Sequence, residues 1–438
     1  MDHRDLIKRI TDGDICVGIV GLGYVGLPLV LAFGKRDIKV IGFDVDKEKS
    51  TKLLAGESYI EHIPAEGLKR LVDNEQFRPT TDPKALVECD AILLCVPTPH
   101  TQPRTGHALH RRNRTTLAPH LRRGQLVILE STTCPRTTEG LLRTLLSQDR
   151  NEAGTDFLLA YSPEREDPGN PNFGTSQIPK LVGGLTPQSG EASLALYNLI
   201  IDRVVQVSSP AVAEMSKLLE NIFRSVNIAL VNELKVLCHR MGLDVWEIID
   251  AAATKPFGFM PFYPGPGLGG HCIPIDPFYL TWKAREYELN TRFIELAGEV
   301  NGSMPRYVVE RCAEALNLHK KALNGADVLV LGLAYKKDVD DVRESPALRI
   351  IELLRERGAD VSYHDPHVPS THKMRRHDLG MSSVELTDER LSTTDAVLIV
   401  TEHSGIDYER IVRKAPLIID TRNATRNVVG DREKIVKA

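Results

Sequence analysis

A cysteine set among glycines carries the most pointed chemistry: Gly267-Leu268-Gly269-Gly270-His271-Cys272, with Asp276 four residues further on. Glycines beside a thiol leave room for a substrate, and a thiol can capture an aldehyde covalently, splitting one difficult oxidation into two easier ones. If the segment is helical, positions 272 and 276 are neighbours; a buried structural cysteine is the competing reading. Lys217 and Asn221 stand at i and i+4 in a long stretch of apolar periodicity. That spacing puts both on one helix face, where an ammonium and an amide can clamp a developing alkoxide, on a helix that otherwise reads as core. A solvated stripe is the plain alternative. Ser162-Pro163-Glu164 closes an apolar run and leads into the charged Arg165, Glu166 and Asp167. A carboxylate at the carboxyl end of a strand can serve as acid or base, though many such loops are simply solvated.

Gly21-Leu22-Gly23-Tyr24-Val25-Gly26 follows one apolar run, and Asp44 ends the next, 18 residues after Gly26. Strand, glycine turn, helix and distant carboxylate together form a dinucleotide fingerprint: a tight turn, close approach of a pyrophosphate, a helix N-terminus for its charge, and an acceptor for the ribose hydroxyls. Val45 and Asp46 follow Asp44 where a 2′-phosphate would want an arginine, which favours NAD over NADP.

The elements that must hold these residues are visible as well. Runs at 15–20, 39–44, 91–96, 125–132 and 157–162 are apolar at consecutive positions, as strands covered on both faces are. Helical stretches alternate with them, which indicates a parallel doubly wound sheet. From 211 to 241, Val212, Met215, Leu218, Leu219, Ile222, Phe223, Val226, Leu230, Leu234 and Leu237 recur every three or four positions. This predicts one long helix, a spine between domains or a subunit interface, stopped by Gly242. Residues 256–270 are rich in glycine, proline and aromatics and predict irregular chain. Helix follows to about 323. Strand runs return at 327–333, 359–363, 395–400 and 417–420, predicting a second α/β domain.

Composition sets the frame. The 438 residues, 42% hydrophobic and 26% charged, suit about three globular domains or two large ones. With 55 basic against 59 acidic residues the net charge is −4, which offers nothing to a nucleic acid. The longest apolar runs are too short to span a bilayer and the charged start lacks a signal-peptide core, so a cytoplasmic protein is expected. Seven cysteines without a CxxC pair argue against a disulfide framework or a zinc ribbon; Cys16, Cys89, Cys95 and Cys238 read as core residues. His364, His367, His372 and His377 crowd together but match no metal template, and a surface loop without metal is expected.

Taken together the motifs resemble the nucleotide-diphosphate-sugar 6-dehydrogenases, the UDP-glucose dehydrogenase family, over about residues 15–423. The resemblance is carried by Tyr59-Ile60-Glu61-His62-Ile63-Pro64, SPEREDPGNPN at 162–172, GPGLGGHCIPIDPFYLTW at 265–282 and YKKDVDDVRESP at 335–346. These look closest to the branch acting on UDP-N-acetylglucosamine. The resemblance implies two Rossmann-like domains joined by a long central helix: an NAD-binding domain at 1–205, a helical dimerisation domain with the catalytic cysteine at 206–322, and a UDP-sugar-binding domain at 323–438. It implies Cys272 as nucleophile, Lys217 and Asn221 as the alkoxide-stabilising pair, Glu164 and Asp276 as acid/base and water-activating carboxylates, and Thr132 as a residue positioning water and cofactor. Beside Gly21, Gly23, Tyr24, Val25, Gly26 and Asp44, it places Val96-Pro97-Thr98 and Arg343 along the cofactor. It places Arg165, Tyr263, Gly269, Tyr335, Lys336 and Arg422 with Glu164, Lys217 and Asn221 around the UDP-sugar. The implied reaction oxidises the sugar C6 hydroxyl to a carboxylate with two NAD, through a thiohemiacetal and a thioester on Cys272.

Two departures stand out. Ile275 replaces a lysine frequent in UDP-glucose enzymes, which favours an N-acetylhexosamine. Residues 100–114 (HTQPRTGHALHRRNR) are basic and almost without apolar periodicity where the family runs into a helix. Divergence or a local reading-frame slip would produce this, and a sugar-nucleotide-binding protein without turnover is the rival it raises.

Overall fold

Eight strands build the sheet of the first unit: β1 (Cys16–Val20), β2 (Lys39–Phe43), β3 (Phe77–Thr80), β4 (Ala91–Leu94), β5 (Leu126–Leu129), β6 (Leu158–Tyr161), β7 (Lys180–Gly184) and β8 (Val204–Val207). Their order is β3-β2-β1-β4-β5-β6-β7-β8, and among the described residues only the β6–β7 pair is antiparallel. The order reverses between β1 and β4, the switch point at whose carboxyl side open α/β sheets bind ligands. β1, β4, β5 and β6 are buried along nearly their whole length, which explains their unbroken apolar runs. β1 ends with its run at Val20, while β2, β4, β5 and β6 stop earlier than theirs. β5 ends at Leu129, where its partners Leu94 and Tyr161 also end, so Glu130, Ser131 and Thr132 leave the sheet at its carboxyl edge.

The computed structural model describes residues 3–60, 63–96, 117–147, 151–165, 175–270, 276–374 and 377–438. Cys272, Pro97, Thr98 and the 100–114 segment lie outside these. The chain divides into two units, Met1–Leu219 and Glu220–Ala438, and the boundary falls within the long helix Pro210–Met241. Gly242, at φ +69°, follows that helix as its left-handed stop.

The second unit continues with the helices Val245–Ala253, Asp276–Arg285 and Arg292–Leu318, separated by irregular chain that includes the glycine-rich loop at 254–270. The last helix ends five residues before the expected 323, because Lys320 turns left-handed at φ +59°. A five-stranded parallel sheet follows, ordered β10-β9-β11-β12-β13, from β9 (Asp327–Leu331), β10 (Asp360–His364), β11 (Ala396–Ile399), β12 (Ile418–Asp420) and β13 (Ile435–Lys437). No described helix is long and apolar enough to cross a membrane. The six described cysteines are free.

Candidate active site

At the end of β1 the chain turns at Gly21, whose φ of +98° and contact with the Cys95 carbonyl leave no place for a side chain: a Cβ would lie 2.6 Å from that oxygen. Gly26 opens the helix Gly26–Gly34 and is equally constrained, since its Cβ would meet the Gly21 carbonyl at 2.0 Å. Gly23 differs. Nothing lies within 4 Å of its missing Cβ, so open space stands over the turn. Tyr24 is exposed and Val25 half-buried beside it. Asp44 is buried, its Oδ2 accepting from the Leu22 amide (2.9 Å) and Lys49 (3.1 Å), and its Oδ1 from the Asp46 amide (3.0 Å). Burial alone would raise its pKa; the amides and Lys49 outweigh it and hold the carboxylate below its ordinary value. Open space above a glycine at a helix N-terminus, next to an ionised acceptor, fits the pyrophosphate and ribose of NAD.

Further along the same edge, the Ser131 hydroxyl donates to the Val96 carbonyl, tying the end of β5 to the end of β4; Thr132 follows, half-buried. Glu164, also half-buried, leaves β6 next to a closed buried network. Glu130 accepts from Lys180 (2.7 Å) and from the Tyr197 hydroxyl, and Lys180 reaches the Pro163 carbonyl at 3.5 Å. The strand end before Glu164 is therefore anchored from beneath. Arg165 turns to the Pro179 carbonyl (2.6 Å) within this unit.

The long helix inverts its own sequence pattern. Leu219 (60% exposed), Phe223 (47%), Leu230 (54%) and Leu237 (52%) face outward, while Glu214, Lys217, Asn221, Ser225, Asn232 and Lys235 are buried. The polar stripe faces protein, so the alternative of a solvated stripe for Lys217 and Asn221 does not hold, and most of the apolar stripe is open, although Leu218 is buried. Asn221 Nδ2 donates to Asp276 Oδ2 (2.8 Å), and Arg224 donates to Asn221 Oδ1 (2.5 Å). The arginine fixes which end of the amide is the donor. Asp276 lies in the first turn of the described helix Asp276–Arg285, where the helix dipole favours a carboxylate. Lys217, buried one turn before Asn221, makes no ion pair among the described residues.

In the second unit the glycine-rich loop lies against the start of the second α/β region. A Cβ at Gly269 would lie 2.6 Å from the Tyr335 Cβ, and the Gly270 amide donates to the Arg343 carbonyl (2.9 Å). Lys336, half-buried, follows Tyr335. Arg343 makes a bidentate pair with Asp341. Arg422 donates from Nε to the Val400 carbonyl (3.0 Å) and passes close to Gly265. Tyr263 is half exposed, its hydroxyl donating to Asp250 (2.7 Å).

The histidines separate. His364 bonds the Val384 carbonyl and His377 pairs with Glu352, while His367 meets Asp338 and His403 in one group within 4.8 Å. Both nitrogens of His403 are engaged there, by the Asp338 amide and the Asp365 carboxylate, which leaves no lone pair for an ion. Sequence reasoning missed Glu214, Arg224, Asn232 and Lys235. Polar residues at 214, 217, 221, 225, 232 and 235 keep the three-four spacing of one helix face, a pattern that finds Glu214, Asn232 and Lys235 without a structure, though not Arg224, which lies off that face.

Three family models match the chain in order. They are the NAD-binding domain (residues 15–201), the central domain (211–303) and the UDP-binding domain (329–427) of the UDP-glucose/GDP-mannose dehydrogenase family. The chain is 35% identical over 396 residues to the UDP-N-acetyl-D-glucosamine 6-dehydrogenase of Pseudomonas aeruginosa, covering 89% of this chain and 91% of that one. It is 33% identical over 413 residues to the UDP-N-acetyl-D-mannosamine dehydrogenase of Pyrococcus horikoshii, covering 93% and 95%. The solved structure of a UDP-D-ManNAc dehydrogenase from the same archaeon superposes with a TM-score of 0.84 at 32% identity, over 97% of this chain and 99% of that one.

Proposed function

We propose a function from one premise: the chain belongs to the UDP-glucose/GDP-mannose dehydrogenase family, and is an NAD-dependent oxidoreductase with a UDP-binding domain. Within that class its substrate is UDP-N-acetylglucosamine, oxidised at C6 to the uronate for a surface polysaccharide. The buried group on the long helix carries the reading. Lys217, without a counter-ion among the described residues, stands one turn from Asn221, whose amide is oriented by Arg224 and bonded to Asp276. A buried lysine with no ion pair among the described residues, beside a directed amide, suits an oxyanion that exists only during reaction.

NAD, held by Gly21, Gly23, Gly26 and Asp44, supplies the hydride acceptor. Lys217 and Asn221 stabilise the alkoxide as the C6 hydroxyl loses its proton. The Cys272 sulfur then adds to the aldehyde carbon and the carbonyl oxygen takes a proton, giving a thiohemiacetal. Its oxidation leaves a thioester, which water cleaves at the acyl carbon, freeing the thiol and the carboxylate. Asp276 and Glu164 are the carboxylates available to accept the water's proton, with Thr132 positioning that water. One sugar, two NAD and one water yield one uronate, two NADH and three protons. The N-acetylhexosamine reading is supported by the relatives that act on such sugars and by Ile275 in place of lysine. A homodimer is proposed through the open apolar stripe of the long helix, where Phe223→Glu should yield monomers in light scattering.

The test is NADH release with limiting UDP-N-acetylglucosamine, UDP-N-acetylmannosamine, UDP-N-acetylgalactosamine or UDP-glucose. Two NADH per UDP-N-acetylglucosamine, abolished by Cys272→Ala, is the expected result. Preference for another of these sugars overturns the substrate and keeps the chemistry. Tight UDP-sugar binding without NADH makes the chain a binding protein.

A further inference from the structure

Gly265 sits within the glycine-rich loop, and the long helix takes both of its backbone polar groups. Its amide donates to Asn232 Oδ1 (2.9 Å), and its carbonyl accepts from Lys235 Nζ (3.0 Å). The bonds continue inward: Asn232 Nδ2 donates to Asn301 Oδ1 (2.9 Å), and Asn301 Nδ2 donates to the Ser225 carbonyl (3.0 Å). Ser225, Asn232, Lys235 and Asn301 are all buried, so this is one satisfied polar chain joining the long helix, the helix Arg292–Leu318 and the loop. Arg422 closes the other side, since a Cβ at Gly265 would lie 2.6 Å from its Nη1.

Lys235 is a costly way to make one of these bonds. It is 3% exposed and has no ion pair among the described residues. Its Nζ lies 5.4 Å from the centre of the Tyr307 ring, and Arg422 faces it with a like charge. A cavity of about 250 Å³ opens beside it, also lined by His239, Asp244, Trp246 and Lys437. The one carboxylate there, Asp244, is already paired with Lys437. Burial, with a smaller contribution from Arg422, brings the Lys235 amine down to about 7. A buried, uncompensated amine destabilises a fold that an apolar chain of equal length would not. Stability given up at one position points to a task there.

We propose that Asn232 and Lys235 are positioning residues that lock the glycine-rich loop at Gly265, seating Gly269 and Gly270 against Tyr335 so that the chain enters the Cys272 segment from one fixed geometry. The proposal rests on the dehydrogenase reading given above. Fixing a loop in its working conformation removes an ordering step from each turnover, and small misplacements at such a site cost large factors in rate.

The test compares the full-length protein with Lys235→Met, Lys235→Gln and Asn232→Ala by thermal melting, by hydrogen–deuterium exchange of peptides covering 257–270, and by steady-state kinetics. Lys235→Met should hold or raise the Tm at pH 7. Loop amides should exchange about tenfold faster in Lys235→Met and Asn232→Ala, and kcat should fall about tenfold or more with NAD KM within about twofold. Lys235→Gln, which keeps a neutral donor, should recover part of both losses. A lowered Tm in Lys235→Met with unchanged loop exchange makes Lys235 merely structural and overturns the proposal. If the wild-type protein turns over no UDP-sugar, the functional reading fails, and the exchange data still decide whether these residues hold the loop.

Discussion

The two parallel sheets begin alike and then part. In each, the first strand ends in a left-handed glycine, Gly21 at φ +98° and Gly332 at φ +85°. In each, that glycine's amide bonds the last carbonyl of the neighbouring strand, Phe43 at 2.8 Å and His364 at 2.9 Å. In each, the next residue of that strand is a buried aspartate, Asp44 or Asp365. Asp44 accepts three hydrogen bonds and keeps capacity on Oδ1. Asp365 accepts five: the amides of Leu333, Ala334, His367 and Val368, and the ring of His403. Over the first turn, Gly23 faces open space; in the second, Leu333 and Ala334 follow the glycine and His403 occupies the carboxylate. The same strand–turn–strand geometry thus leaves room for a ligand in one sheet and makes a structural brace in the other. The difference lies in unfilled volume and a spare acceptor, neither of which the backbone alone supplies.

The largest effect expected of this contrast is on stability. Asp365→Ala orphans several buried donors and should cost about 3–5 kcal/mol in denaturant unfolding. Asp44→Ala should cost less and chiefly raise the KM for NAD. Acid should show the same asymmetry. Burial raises the pKa of Asp365, but His403 and the amides outweigh it and bring it to about 2, against about 3.9 for an unfolded aspartate. A depressed folded pKa means that the unfolded chain binds more protons between the two values. The stabilisation, about 2.6 kcal/mol, is therefore whole above pH 4 and lost as pH falls towards 2. An Asp365→Ala protein that is as stable as Asp44→Ala breaks the comparison.

The intermediate effect is on cofactor binding. Gly23 has no left-handed backbone and nothing within 4 Å of its Cβ position, so Gly23→Val should melt within a few degrees of the native protein. Its side chain would fill the space over the turn and weaken NAD binding at least about tenfold by fluorescence titration. Gly21→Ala, placed at φ +98° against a carbonyl, should instead fail to fold well.

How much of this could be read beforehand follows from the same physics. Strands buried on both faces announced themselves as apolar runs, and so did the glycine fingerprint with Asp44. β3, β7, β8 and β13 did not: β3, β8 and β13 are edge strands, β3 carrying Arg78 and Pro79, which a central strand would reject, while β7 is interior but opens on Lys180 and closes on two glycines. The long helix is legible at nearly its true length, and what covers its apolar stripe is not, since periodicity reports a stripe and not its partner. Asn221 and Asp276 are each legible; their hydrogen bond and the Gly265 lock depend on contacts distant in sequence, which no local spacing encodes, whereas Arg224 stands three residues from the Asn221 amide it orients, a local spacing that the apolar periodicity hides.

The smallest effect tests what the spare capacity of Asp44 is for. Lys49 is about one-third exposed and 3.1 Å from Oδ2, the oxygen already bonded to Leu22. As a partly solvated pair it contributes less than about 1 kcal/mol to stability, and that portion should fade in high salt. If the open acceptor on Oδ1 is what a ribose uses, Lys49→Ala leaves the NAD dissociation constant within about twofold, because it removes a bond from the other oxygen. A tenfold change in either direction would mean that charge neutralisation at this carboxylate governs the site. The contrast with the saturated Asp365 would then rest on electrostatics and not on a free lone pair.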